Sequence, residues 1–316
     1  MALPKGRITD VVIIPVNGYA NRLQAWASAG ILASSIGAQV SCLWVTEEVA
    51  PTPAAILFSS TLLEQAFIEP ADAQERWGLI PQDVPRYLSL SNGIVTLAGH
   101  DKGEQYFMND LEQIIRSPEA PPIIAIRAGG HFHVVGSDTA DADRAHFYRQ
   151  IAWAPEIDDA VSRSAREPGS YVGLHIRESD RARTAPTHRQ VLSAITEAAN
   201  TSGLTSVLVA ADSKAARTRW CDVLREHGLS PWTSTTEQTN RSHLDSGVSA
   251  MVDWRLLGDA HSLVYSQESS FGHEASLLNK HPDLAHPLSA GPTLRWRRDL
   301  YRHSNNLGRR LGLSRY

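Results

Sequence analysis

Tyr171-Val-Gly-Leu-His-Ile-Arg177, running on into Glu178-Ser-Asp180, reads as a buried strand that ends in charge. A nearly unbroken apolar run suits a strand covered on both faces, and such strands belong to parallel sheets. The residues that follow fit that type. Positions 187–200 read as a helix, Ser206-Val-Leu-Val-Ala-Ala211 as a strand, and 214–227 as a second helix. A helix over 247–257, a strand over 262–265 and a helix over 270–278 continue the alternation. Strands alternating with helices define an α/β class with a parallel sheet.

The same pattern recurs toward the N-terminus. Val11-Val-Ile-Ile-Pro15 is a short β-branched run that breaks at Asn17-Gly18-Tyr19 and gives way to a helix over 20–36. Gly37 stops that helix, and Gln39-Val-Ser-Cys-Leu-Trp44 is the next strand. This is a βαβ unit. Pro121-Pro-Ile-Ile-Ala-Ile-Arg127 reads as another buried strand, and 147–164 as a polar helix before a Glu167-Pro-Gly linker. Positions 46–103 are Pro-rich and give no clear element. The expected architecture is two Rossmann-like domains facing a cleft, with residues 1–165 in the first and 166–293 in the second. A basic tail occupies 294–316. In such sheets ligands bind at the carboxyl ends of the strands.

The chain has 316 residues, 42 % of them hydrophobic, and a formal charge of −4, which gives no support to a general nucleic-acid binder. Cys42 and Cys221 are the only cysteines, so neither a disulfide framework nor a cysteine-based zinc site is expected. The first residues lack the apolar stretch of a secretory signal, and no run of eighteen apolar residues occurs, so a cytoplasmic setting is expected. The tail from Arg295 to Tyr316 holds seven arginines against one aspartate. It reads either as a peripheral helix on an acidic membrane face or as a closing helix with solvated arginines.

Three places could carry chemistry, each at a strand end or a strand-to-helix turn. His175 and Arg177 are two apart on a strand and share a face. The Arg177 guanidinium is a fixed cation with a rigid fork of donors, which suits a diphosphate and the charge that builds on a departing phosphate. Asp180 would support that fork or the turn. The alternative is a surface Arg–Asp pair beside a buried histidine. Tyr265-Ser-Gln-Glu-Ser269-Ser270-Phe271 leads from a strand into a helix, where free N–H groups and hydroxyls form an anion site or simply a cap. Asn17-Gly18-Tyr19-Ala20-Asn21-Arg22 follows the first strand, and a glycine there permits a tight turn or a close ligand. Asp253 is a carboxylate on a largely apolar helix, either solvated or an acceptor for a base edge. No P-loop, G-x-G-x-x-G, G-x-S-x-G or H-E-x-x-H pattern is present.

Together these segments resemble the fucosyltransferase superfamily, which comprises the nodulation and core α-1,6-fucosyltransferases, the protein O-fucosyltransferases and bacterial relatives. Gly18-Tyr-Ala-Asn-Arg-Leu-Gln-Ala resembles the family's G-x-G-N-R-L turn, and Val172-Gly-Leu-His-Ile-Arg-Glu-Ser-Asp180 its V-G-x-H-x-R-x-x-D strand. Ala250-Met-Val-Asp-Trp-Arg-Leu-Leu257 through Ser269-Ser-Phe-Gly-His-Glu-Ala275 is similar to its A-x-x-D-x-x-x-L … S-S-F-x-x-x-A block.

The resemblance implies a GT-B fold and an inverting, metal-independent transfer from a GDP-sugar, usually GDP-L-fucose, with no cofactor. It implies Arg177 at the β-phosphate as the catalytic cation. His175 and Asp253 would meet the guanine and ribose end, and Ser269, Ser270 and the Phe271 backbone the phosphates. Gly18, Asn21 and Arg22 would lie on the opposite wall, near the sugar or a glycan, peptide or small-molecule acceptor. Other readings keep the fold with another GDP-hexose or an ADP-heptose, or make the chain a silent nucleotide-sugar binder. Ala20 replaces the family's second glycine, Glu178 stands where many relatives have a second arginine, and no glutamate occurs in Asn17 to Arg22. The sequence therefore leaves the general base unassigned.

Overall fold

A computed structural model of the chain describes residues 6–80, 89–91, 94–98, 104–132, 140–166, 169–178, 186–234, 236 and 243–289. Asp180 and the basic tail from 294 lie outside the described residues. The chain divides into two units, Met1–Glu167 with Ser234–Leu256, and Pro168–Thr233 with Leu257–Tyr316.

The first unit contains β1 (Asp10–Pro15), α1 (Tyr19–Ile36) and β2 (Gln39–Cys42), then the short helices α2 (Ala54–Leu57), α3 (Ser60–Ala66) and α4 (Pro70–Trp77). It continues with β3 (Ser89–Ser91), β4 (Ile94–Ala98), α5 (Glu104–Arg116), β5 (Ile123–Ala128), α6 (Ala140–Arg149) and α7 (Pro155–Arg166). The sheet order is β2-β1-β5-β4-β3, parallel except for the β3–β4 pair. Val11, Val12 and Ile13 on β1 are wholly buried, as a strand flanked on both edges requires. Gly37 ends α1 in the left-handed conformation at φ 73°, as the sequence predicts.

An aromatic cluster packs the helical layer. The Trp26 ring lies 5.4 Å from Phe58, 4.9 Å from Phe67 and 5.1 Å from Phe147, all edge-on. Cys42 and Cys221 are both buried free thiols, and burial pushes the pKa of each upward. Neither is poised as a nucleophile.

The second unit contains β6 (Val172–Ile176), α8 (His188–Ser202), β7 (Ser206–Ala211), α9 (Lys214–Glu226) and β8 (Ser230–Trp232). After α10 (Ser246–Asp259) come β9 (Ser262–Ser266), α11 (Ser270–Leu278) and β10 (Ala285–Leu288). Its sheet is all-parallel in the order β10-β9-β6-β7-β8, so β6 lies at the centre. Helix α8 starts where the sequence places it, because Thr187 and Gln190 form a reciprocal capping box. Gly173 lets the end of α10 and β9 close on β6, since a Cβ there would lie 3.0 Å from Leu263 and 3.1 Å from Ala260.

Ser234–Leu256, which the sequence pattern assigns to the second domain, group with the first unit. Their packing explains this. The Trp254 ring meets Tyr148 edge-on at 5.4 Å, Arg255 pairs with Asp158, and the Gly247 N–H donates to Thr52 Oγ1 at 2.9 Å. Among the described residues no helix is long and apolar enough to cross a membrane.

Candidate functional site

In the second sheet three strand ends converge. His175 is level with Tyr265 on β9 and with Ala210 on β7, so Arg177 follows β6 beside Gln267 and Asp212. His175 is buried, and its ring stacks on Phe271 at 5.0 Å with the planes 28° apart. The strand thus brings together two of the predicted residues that are 96 positions apart in sequence. Arg177 is half-buried at the same rim.

The β9–α11 turn gathers hydrogen-bond donors at the start of a helix. Ser269 is 1 % exposed, and its hydroxyl accepts from the Gly272 N–H at 3.4 Å. Capping and ligand binding are compatible here, because a hydroxyl that accepts still has its own O–H to donate. The Ser269 N–H donates to Ser266 O and that of His273 to Ser269 O. This leaves the N–H groups of Ser270 and Phe271, at the positive end of α11, without an acceptor among the described residues. Gly272 sets the helix close to the strand, since a Cβ there would fall 2.7 Å from the Cβ of Tyr265.

Glu178 belongs to the same rim but faces a different task. Its backbone N–H donates to both carboxylate oxygens of Asp212, at 3.2 and 3.1 Å. Its own carboxylate accepts from Trp220 Nε1 at 3.0 Å and pairs with Arg219. Glu178 is thus an anion committed to helix α9.

The first unit presents a second rim, at the ends of β1, β2 and β5. The left-handed residue in the β1–α1 turn is Asn17, at φ 68°, so of the two readings of Gly18, a tight turn or a close ligand, the turn does not rest on the glycine. Asparagine tolerates that conformation because its short side chain bonds locally. Gly18 is the extended N-cap of α1 at φ −66°, and a Cβ there would meet nothing within 4 Å. Neither backbone strain nor packing demands glycine at 18. Gly18 faces open space.

Asn21 is half-buried on the first turn of α1. Arg22, expected on the wall near a ligand, is instead wholly buried. It donates to Asn17 O at 2.8 Å, Val45 O at 2.6 Å and Glu47 Oε2 at 2.9 Å, and lies 5.0 Å over the Trp44 ring. Burial lowers the pKa of its guanidinium, and Glu47 opposes that. Arg22 therefore ties the β1–α1 turn to the segment after β2. Glu47 is a residue that sequence reasoning misses. It reaches the rim from the Pro-rich region with Oε2 bound to the Asn17 N–H at 3.2 Å.

Asp253 is 5 % exposed on α10, which removes the solvated alternative. It lies in the segment that groups with the first unit, whereas β6, β9 and α11 belong to the second.

Two successive five-stranded sheets of Rossmann type, each with a polar rim at its carboxyl strand ends, define the GT-B class of fold. Solved structures of that class match the chain. A NodZ α-1,6-fucosyltransferase co-crystallized with GDP has a TM-score of 0.59 at 17 % identity, over 87 % of this chain and 93 % of that one. POFUT1 in complex with GDP has a TM-score of 0.55 at 13 % identity, over 90 % and 98 %. An Arabidopsis thaliana FUT1 mutant in complex with GDP has a TM-score of 0.56 at 16 % identity, over 87 % and 69 %. No family model matches the chain, and no curated protein matches it.

Proposed function

We propose that this chain is an inverting, metal-independent glycosyltransferase of the fucosyltransferase superfamily that takes a GDP-sugar, GDP-L-fucose foremost. The observation that carries the reading is the rim of the second sheet. A half-buried arginine follows β6, and on the adjacent strand β9 a helix start offers two N–H groups and the Ser269 hydroxyl. Such a set complements a diphosphate without a metal. The likeness in fold to structures that hold GDP supports the base, and another structure of the same kind was soaked with GDP-fucose.

In this reading the Ser270 and Phe271 N–H groups and the Ser269 O–H donate to phosphate oxygens. Arg177 meets the β-phosphate and holds the charge that develops as the sugar–phosphate bond breaks. His175, fixed by Phe271, and the buried Asp253 serve the nucleoside end, and Asp180 supports Arg177. The first unit serves the acceptor, a hydroxyl of a glycan, a peptide or a small molecule, with Gly18 leaving room for it and Asn21 beside it. The cytoplasmic setting and a peripheral membrane contact through the tail belong to the same reading.

The test is release of GDP from GDP-fucose in EDTA with water as the sole acceptor. Slow release, inhibited by GDP and not by ADP or UDP, is expected. Inhibition by ADP instead would move the donor to an ADP-sugar. GDP binding without any release would make the chain a silent binder, and activity that requires Mn²⁺ would contradict the metal-free mechanism.

A further inference from the structure

We propose that Glu178 is a positioning residue for Arg177, an inference that rests on the glycosyltransferase reading above. Every residue involved belongs to the second unit. The ladder between β6 and β7 ends at the pair Ile176 and Ala211, so Arg177 lies beyond the last sheet pair. Backbone past a ladder keeps its conformational freedom unless other groups hold it. Here Asp212 holds it twice. Its N–H donates to Ile176 O at 3.3 Å, and its carboxylate accepts from the Glu178 N–H at 3.2 and 3.1 Å. Both peptide groups that flank Arg177 are thus pinned by one residue of β7's end.

The Glu178 side chain settles the face that Arg177 takes. Successive residues of an extended chain point to opposite faces. Val172, Leu174 and Ile176 pack in one core with Trp220 and Leu224 of α9. Glu178 continues that series. Its Oε1 accepts from Trp220 Nε1 at 3.0 Å, and its Oε2 pairs with Arg219. Trp220 is itself a fixed donor, 2 % exposed and stacked on the His188 ring at 4.6 Å with the planes 20° apart. With Glu178 tied to α9, the alternation turns Arg177 to the other face, where the His175 ring meets Phe271 of α11.

Glu178 touches no substrate in this scheme. Its charge is matched by Arg219 and its second oxygen by an indole, so the carboxylate serves to hold chain and not to meet phosphate. The consequence is kinetic. A shift of about 1 Å at a group that stabilises a transition state costs up to roughly 100-fold in rate. Loosening residue 178 therefore lowers kcat through Arg177, while the diphosphate keeps the donors of the β9–α11 turn that the proposed function assigns to it.

A double-mutant cycle separates positioning from a merely structural role. Glu178→Ala is expected to lower kcat for release of GDP from GDP-fucose on the order of 10-fold, with GDP affinity little changed. Glu178→Gln, whose amide oxygen still accepts from Trp220, should recover most of that loss. The same Glu178→Ala change is then made beside Arg177→Ala. A residue that acts only through Arg177 has nothing left to position there, so the residual turnover should fall no further. Native kcat in Glu178→Ala, or an equal loss in both backgrounds, would overturn the proposal and leave the proposed function standing. A native chain that neither binds GDP nor releases it would overturn the proposed function, and this inference with it. Should Glu178→Ala not fold, Glu178→Asp carries the same pair of measurements, because the shorter carboxylate cannot span to both Trp220 and Arg219. A loss with Arg177 present and none without it is the expected result, and any other pattern refutes the role.

Discussion

Replacing Arg177 by alanine is expected to lower turnover of GDP-fucose roughly 100-fold, the loss that follows from about 3 kcal/mol of transition-state stabilisation. The expectation comes from the timing of charge. The β-phosphate gains negative charge as the sugar departs, so a guanidinium at the end of β6 is worth more in the transition state than in the ground state. In the proposed reading the Ser270 and Phe271 N–H groups and the Ser269 hydroxyl remain to bind the diphosphate. The kcat should therefore fall further than GDP affinity, and Arg177→Lys should recover only part of it, because a point charge lacks the planar fork. Steady-state kinetics on both variants, with calorimetric GDP affinities, checks this. Near-native turnover in Arg177→Ala would remove the residue from the mechanism.

Arg22→Ala acts on the other unit and through stability. The side chain is wholly buried, donates to two carbonyls and a carboxylate, and lies over the Trp44 ring. Its removal takes a donor from Asn17 O and from Val45 O, leaves Glu47 Oε2 with the Asn17 N–H alone, and opens a cavity. Loss of a buried ionic partner costs about 3–5 kcal/mol, and at this chain length each kilocalorie lowers the thermal midpoint by roughly 2–4 °C. A drop on the order of 10 °C is expected by calorimetry. GDP affinity should survive, because the nucleotide is assigned to the second unit. An unchanged midpoint would mean that the guanidinium does not hold the turn. Loss of GDP affinity with unchanged stability would instead return Arg22 to the ligand.

Much of the fold is legible in the sequence because buried parallel strands are written as short apolar runs. Val11–Ile14, Val172–Ile176, Val207–Ala211 and Ser262–Tyr265 can be read singly, and the helices between them fix the class. Helix α11 is legible to the residue, since Ser269 supplies its cap. Helix α5 goes unassigned although its signal is present: Met108, Leu111 and Ile115 recur at helical spacing and are buried. The edge strands β8 and β10 are three and four residues long and each contains a proline, which masks any pattern.

The second rim is legible as a set because His175, Arg177, Ser269, Ser270 and Phe271 all lie at or just beyond strand ends. The first rim is legible only in part. That Arg22 faces inward to Glu47, 25 positions away, has no periodic signature. Glu47 lies in a segment without regular patterning, and only the tertiary fold brings it to the turn. The left-handed residue of the β1–α1 turn carries no sequence signature for a related reason. Glycine is the usual occupant, and here Asn17, held by Glu47 through its N–H and by its side chain to Gly129 O at 3.4 Å, takes the role.

The most direct test of the central claim is a crystal structure with GDP bound. The account predicts the diphosphate within hydrogen-bond distance of the Arg177 guanidinium and of the Ser270 and Phe271 N–H groups, with the nucleoside on the His175 side. A guanidinium turned into bulk solvent with no phosphorus near it, and GDP lodged elsewhere or absent at saturating concentration, would contradict it.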